Sequence, residues 1–90
     1  MSKVEEILDI LQEECGEVVV AVSKVRRFGM DNRYKGGGSQ REHLTQEVGD
    51  VMLMVKLLID NGVFTDEELH DAMLRKEEKL KIWSKIYEQD

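Results

Sequence analysis

Two acidic patterns in this chain have the residue types and spacing to do chemistry: Glu14-Cys15-Gly16-Glu17 and Glu47-Val48-Gly49-Asp50. Each places carboxylates at i and i+3 within apolar, helix-forming sequence, and residues three apart on a helix share a face. Crowded carboxylates repel one another unless protons or cations neutralise them, and hard divalent ions such as Mg²⁺ take oxygen ligands of this kind. Two such pairs facing each other would make a metal site suited to a polyanionic substrate. The competing account is a solvated helix face, because Glu favours helices and a single acidic pair is a weak motif. The neighbours favour the site. Glu14 and Glu17 border the stripe Val4, Leu8, Leu11, Cys15, Val18, Val22 and Val25, and Glu47 and Asp50 adjoin the apolar run Val51-Met52-Leu53-Met54-Val55.

The elements that must position these groups follow from the period of the apolar residues. From Val4 to Phe28 they recur at three- and four-residue steps, which predicts a long amphipathic helix with Ser2 as N-cap and Gly29 as its stop. The Val18–Val20 cluster competes as a buried strand, but the helical period runs straight through it. A second helix is predicted from Ser39, with Glu42 completing a capping box, to Asp60, and it ends at Asn61-Gly62. A third starts at Thr65, with Glu68 in the capping position, and continues towards Tyr87. The absence of proline suits long helices. The fold is therefore predicted to be all-α: one domain over residues 1–90, an antiparallel bundle of about three helices. Between Val51 and Ile59 only Lys56 is not apolar, so the second helix needs partners on several sides and the bundle is expected to be completed by oligomerisation.

Other features exclude functions or leave two readings open. A net charge of −6 argues against a general nucleic-acid-binding role, which depends on clustered cations. No apolar stretch is long enough to span a bilayer and no signal-peptide pattern precedes the first helix, so a cytoplasmic setting is expected, with no membrane partner. Cys15, the single cysteine, reads as a small buried hydrophobe, and His43 and His70 read as surface residues. Charge is nevertheless uneven: residues 24–41 hold six basic residues against Asp31 alone. The loop of residues 30–39, with Gly36-Gly37-Gly38, reads as a flexible connection, and the functional alternative is a basic lid over phosphate built from Arg33 and Lys35. The stripe of the third helix, Leu69, Met73, Lys76, Leu80, Trp83 and Tyr87, holds one lysine; either it faces an anion or its stem snorkels at the stripe edge.

The two acidic patterns, with the following Val-Met-Leu-Met-Val run and the segment Ser23-Lys24-Val25-Arg26-Arg27-Phe28-Gly29, resemble the ExxE…ExxD signature of the MazG-like all-α nucleoside triphosphate pyrophosphohydrolases, in particular the small phage-type members. The 29 residues between Glu17 and Glu47 make a long spacer for that pattern. The resemblance implies hydrolysis of NTP or dNTP between the α and β phosphates, to a nucleoside monophosphate and pyrophosphate. It implies Mg²⁺, or Mn²⁺ in its place, held by Glu14, Glu17, Glu47 and Asp50, with Glu13 beside them in a supporting role. Lys24 and Arg27, two and three turns beyond Glu17, are placed to grip phosphate oxygens, and Lys76 and Lys79 resemble the basic residues that family members bring from the following helix. Phe28, Tyr34 and Trp83 are candidate base-stacking residues, with packing as the competing role. The expected partners are a nucleoside triphosphate and further copies of the chain, as homodimer or homotetramer. Two alternatives remain: phosphoribosyl-ATP pyrophosphohydrolase, which shares the acidic signature, and a non-catalytic helical interaction module.

Overall fold

The computed structural model describes residues 2–33 and 35–89, and places 26, 21 and 18 of them in helices α1 (Lys3–Phe28), α2 (Gln40–Asp60) and α3 (Asp66–Trp83). The chain is all-α, with no named strand among the described residues.

Each helix begins where side-chain oxygens can take its unpaired amides. Ser2 Oγ accepts from Glu5 N at 3.1 Å while the Glu5 carboxylate accepts from Ser2 N at 3.4 Å, a complete capping box. Thr65 and Glu68 repeat it, with both bonds at 3.0 Å. At α2 only half of the expected box forms. Ser39 Oγ accepts from Glu42 N at 3.1 Å, but the Glu42 carboxylate lies 3.5 Å from the same hydroxyl instead of meeting the Ser39 backbone. Gly38 is the reason for a glycine here. It has φ +78, and a Cβ at this position would sit 2.8 Å from Glu42 Oε2.

The β-branched run Val18–Val20 lies inside α1 as the period predicts. Helix α3 stops at Trp83, four residues short of the expected Tyr87, because Ser84 turns extended and its hydroxyl accepts from Ile86 N at 3.1 Å, an alternative to continued helical bonding. The two ends of the segment between α1 and α2, which the sequence reads as a flexible connection, carry hydrogen bonds. Asn32 Nδ2 donates to Phe28 O at 2.9 Å, Arg33 N to Asn32 Oδ1 at 3.0 Å, and Arg41 N to Met30 O at 2.8 Å, and the Arg41 guanidinium meets Asp31 Oδ1 at 3.0 Å. Gln40, only 4% exposed, donates its amide N to Arg33 O at 3.1 Å and its backbone N–H to Asn32 O at 2.9 Å. Tyr34 lies outside the described residues.

Helices α1 and α2 form the closely packed pair. Ala21, 2% exposed, supplies a small side chain on α1, and Leu58 is the most deeply buried large side chain, with Ile7 completing the buried apolar set among the described residues. Cys15 is exposed, contrary to its reading as a buried hydrophobe, because the face of α1 that packs on α2 runs through Ile7, Glu14 and Ala21 instead. The molecule is thin and open, 39 × 37 × 15 Å, with a radius of gyration of 16.0 Å where a compact chain of this length has about 12 Å. Met52 on α2 and Trp83 at the end of α3 are 66% and 84% exposed. No helix among the described residues is long and apolar enough to cross a membrane.

Leu58→Ala should therefore lower unfolding stability by about 2–5 kcal/mol, the range for emptying a buried leucine site, measured by denaturant titration. A loss below about 0.5 kcal/mol, the scale of surface substitutions, would show that this side chain does not anchor the helix pair.

Candidate metal centre

Glu14 sits midway along α1, and Glu47 and Asp50 lie one turn apart on α2, so both α2 carboxylates leave the helix in one direction. Packing of the two helices brings one carboxylate oxygen from each of Glu14, Glu47 and Asp50 within 4.8 Å of one another. Glu14 and Glu47 are partly buried and Asp50 is exposed, so the cluster opens to solvent on one side. Partial loss of water pushes the Glu14 carboxyl above its ordinary value. The Asp50, Glu47 and Glu13 charges push it further, as does a hydrogen bond shared with Asp50. Three like charges brought this close in a partly dry seam are a poor arrangement for the empty protein and a good one for a cation. The donor set is all carboxylate oxygen, which matches Mg²⁺ or Mn²⁺ chemistry and carries none of the sulfur that softer metals select.

The other sequence candidates are placed variously. Glu17 lies one turn along α1 from Glu14, exposed, at the edge of the cluster and outside its converging oxygens. Lys24 lines a cavity of about 340 Å³ with Phe28, Asn32, Arg33, Lys35 and Gln40, and the Arg27 guanidinium lies 4.9 Å from the centre of the Phe28 ring, in cation–π range. Lys76 and Lys79 are exposed on α3, and the groove that Lys76 lines is made by α3 and Tyr87 alone. Trp83 is exposed, so the packing role has no support within a single chain. A larger groove, of about 610 Å³, lies between the start of α1 and the end of α2, walled by Ile7, Ile10, Met54 and Leu57 and rimmed by Lys3, Glu6 and Asp60; none of the Glu14, Glu47 and Asp50 carboxylates lines it.

One neighbour of the cluster escapes the sequence reading. His43, taken there for a surface residue, has only 11% of its side chain exposed, and its Nε2 lies 3.5 Å from Glu47 Oε1. The signal was available, since His43 precedes Glu47 by four residues and so shares its face of α2. With no second histidine or cysteine at ligand spacing, His43 reads locally as a surface residue, whereas in the fold it lies against a carboxylate of the cluster.

A family model described as the MazG nucleotide pyrophosphohydrolase domain matches residues 2–81, a span that includes every carboxylate of the cluster and most of α3. No curated protein and no solved structure matches the chain. With four-fifths or more of its length matched, from the cap of α1 to the last turn of α3, the chain belongs to the MazG nucleotide pyrophosphohydrolase family.

Proposed function

We propose that this chain is a Mg²⁺-dependent nucleoside triphosphate pyrophosphohydrolase that cleaves NTP or dNTP between the α and β phosphates, giving NMP or dNMP and pyrophosphate. The observation that carries this reading is the convergence of Glu14, Glu47 and Asp50 oxygens within 4.8 Å across the α1–α2 seam. These carboxylates would hold the ion, with Glu17 from the next turn of α1 as the fourth ligand. A divalent ion bound there would neutralise phosphate oxygens and lower the pKa of a coordinated water. In the reaction the oxygen of water bonds to the α phosphorus, the bond from that phosphorus to the bridging oxygen breaks, and pyrophosphate leaves with the electron pair. The proton released by the water passes to solvent, and Glu13 and Glu17, exposed beside the cluster, are the carboxylates that can relay it. Lys24 and Arg27 grip phosphate oxygens. His43 positions Glu47.

Residues 1–90 act as one domain, an antiparallel bundle completed by a second copy as homodimer or, by pairing of dimers, homotetramer. The support is the apolar surface left on view: Met52, Leu53, Val19 and Val20 on the paired helices, and Met73, Ile82 and Trp83 on α3, are all exposed. Burying a single such side chain is worth roughly 1.5–3 kcal/mol, so a few of them match the net stability of a whole domain. Assembly also answers where Lys76 and Lys79 act, since α3 can bring them to the cluster of a partner copy.

The decisive assay is a turnover screen of all common NTPs and dNTPs with and without Mg²⁺. Glu47→Gln and Asp50→Asn should each abolish pyrophosphate release, with circular dichroism unchanged; turnover retained in either variant, or in excess chelator, would remove the metal assignment.

The raised Glu14 value has a consequence for metal-free stability. Glu14 binds its proton more tightly in the folded chain than in the unfolded one, so this group favours folding below its ordinary carboxyl range. That contribution is lost as pH rises through the ordinary value to the raised one. Thermal melts across the acid range should show this slope without metal, and Mg²⁺ or Glu14→Gln should flatten it. A slope identical in all three conditions would contradict the crowding.

Assembly should show in sedimentation equilibrium as a dimer or tetramer at micromolar concentration, and Met52→Glu should shift it towards monomer with parallel loss of turnover. A fully active wild-type monomer would refute the oligomeric reading.

A further inference from the structure

Six of the thirteen Lys and Arg residues of this acidic protein fall in residues 24–41, at one end of the α1–α2 seam. The cavity beside Lys24 carries the side chains of Arg33 and Lys35 as well, and no carboxylate lines it. Asp31, the one acid of residues 24–41, is engaged by Arg41, and among the described residues neither Arg33 nor Lys35 is in an ion pair. Like charges around one cavity repel, as the carboxylates do farther along the seam, and an anion is the complement that relieves them. The N-terminus of α2 adds its positive end at Gln40. Its first amides are already taken by Asn32 O, Met30 O and Ser39 Oγ, so side chains are left to make the direct contacts.

The backbone of Arg33 is held by neighbouring side chains. Gln40 accounts for Arg33 O and Asn32 O, and Asn32 fastens both Phe28 O and Arg33 N. The Phe28 ring, with the Arg27 guanidinium over it, forms an apolar wall on which charge is less screened than in open water. Position along the seam is informative too. Lys24 follows Glu14 by ten residues and Gln40 precedes Glu47 by seven, which is about 15 Å and about 10 Å of helix. Helical side chains lean towards the N-terminus of their helix, so Lys24 on α1 leans back in the direction of Glu14. Acid at one position and base a few turns away suit a substrate whose reacting phosphate lies with the metal and whose remaining negative charge extends past it.

We propose that the cavity of Lys24, Arg33 and Lys35 seats the β and γ phosphates of the triphosphate, the half that departs as pyrophosphate. This rests on the pyrophosphohydrolase reading. When the bond between the α phosphorus and the bridging oxygen breaks, the electron pair goes to that oxygen, so negative charge grows on the departing half. Cations fixed there stabilise the transition state more than the bound substrate. Arg33 and Lys35 are thereby leaving-group residues.

The test is calorimetric titration of the full-length protein, with Mg²⁺ present, using pyrophosphate and, separately, the deoxynucleoside monophosphates. The double variant Arg33→Ala, Lys35→Ala should bind pyrophosphate at least roughly tenfold more weakly, with monophosphate affinity unchanged, the loss of charge-assisted contacts to one half of the substrate. The charge-keeping variant Arg33→Lys, Lys35→Arg should retain pyrophosphate binding. Because the frame uses the backbone of Arg33 and not its side chain, melting temperature should stay at the wild-type value. Unchanged pyrophosphate affinity overturns the proposal, as does a loss confined to the monophosphates, which would assign the cavity to the nucleoside, or an equal loss of both. Binding is read without turnover, so failure of the hydrolase reading, which is the absence of hydrolysis of any triphosphate by the wild type, is a separate result.

Discussion

Repulsion among Glu14, Glu47 and Asp50 is the interaction around which the molecule is built. Carboxylates that meet within 4.8 Å in a partly buried seam oppose the helix pairing that brings them together, and loss of water, with the neighbouring charges adding to it, raises the Glu14 carboxyl above its ordinary range. The pairing must therefore be held from elsewhere. Leu58 and Ile7 are buried towards one end of the seam, Ala21 lies beyond the cluster on α1, and the hydrogen-bonded loop around Gln40 closes the other end. Structure on both sides of the cluster thus holds together what electrostatics alone would separate.

The same seam orders the remaining polar groups. Carboxylates lie near its middle, His43 stands one turn from Glu47 towards the loop, and the Lys24 cavity lies at the loop end. In a chain of net charge −6, such a gathering of cations in one short region is a specific arrangement and not a general property of the surface. The groove walled by Ile7, Ile10, Met54 and Leu57 lies at the other end.

A thin molecule of 90 residues has little interior, and here the apolar positions outnumber the places to bury them. Local chemistry compensates at the helix ends, where capping boxes at Ser2 and Thr65 satisfy the first amides. Helix α3 depends on these local terms more than α1 and α2 do, because it has no buried residue of its own. Its Met73, Ile82 and Trp83 side chains are exposed.

Helix content and most boundaries were legible in the sequence because they rest on local terms: the three- and four-residue apolar period, the Ser2, Ser39 and Thr65 caps, and glycine at position 29. The family was legible too, since the acidic pairs and the run after Asp50 are carried by neighbouring residues. What the sequence could not decide was which members of those pairs meet. Glu14 and Glu17 are equivalent by spacing, and only the relative rotation of α1 and α2 turns the first inward while leaving the second exposed and Cys15 outside. The same rotation brings His43 against Glu47. Likewise, Gly36-Gly37-Gly38 reads locally as a flexible connection, and only the tertiary structure supplies the hydrogen bonds from Asn32, Gln40 and Arg41 that lie on either side of it. Periodicity determines the faces of each helix by itself. Which faces meet is a sum over contacts between segments distant in the chain, and it exists only in the tertiary structure.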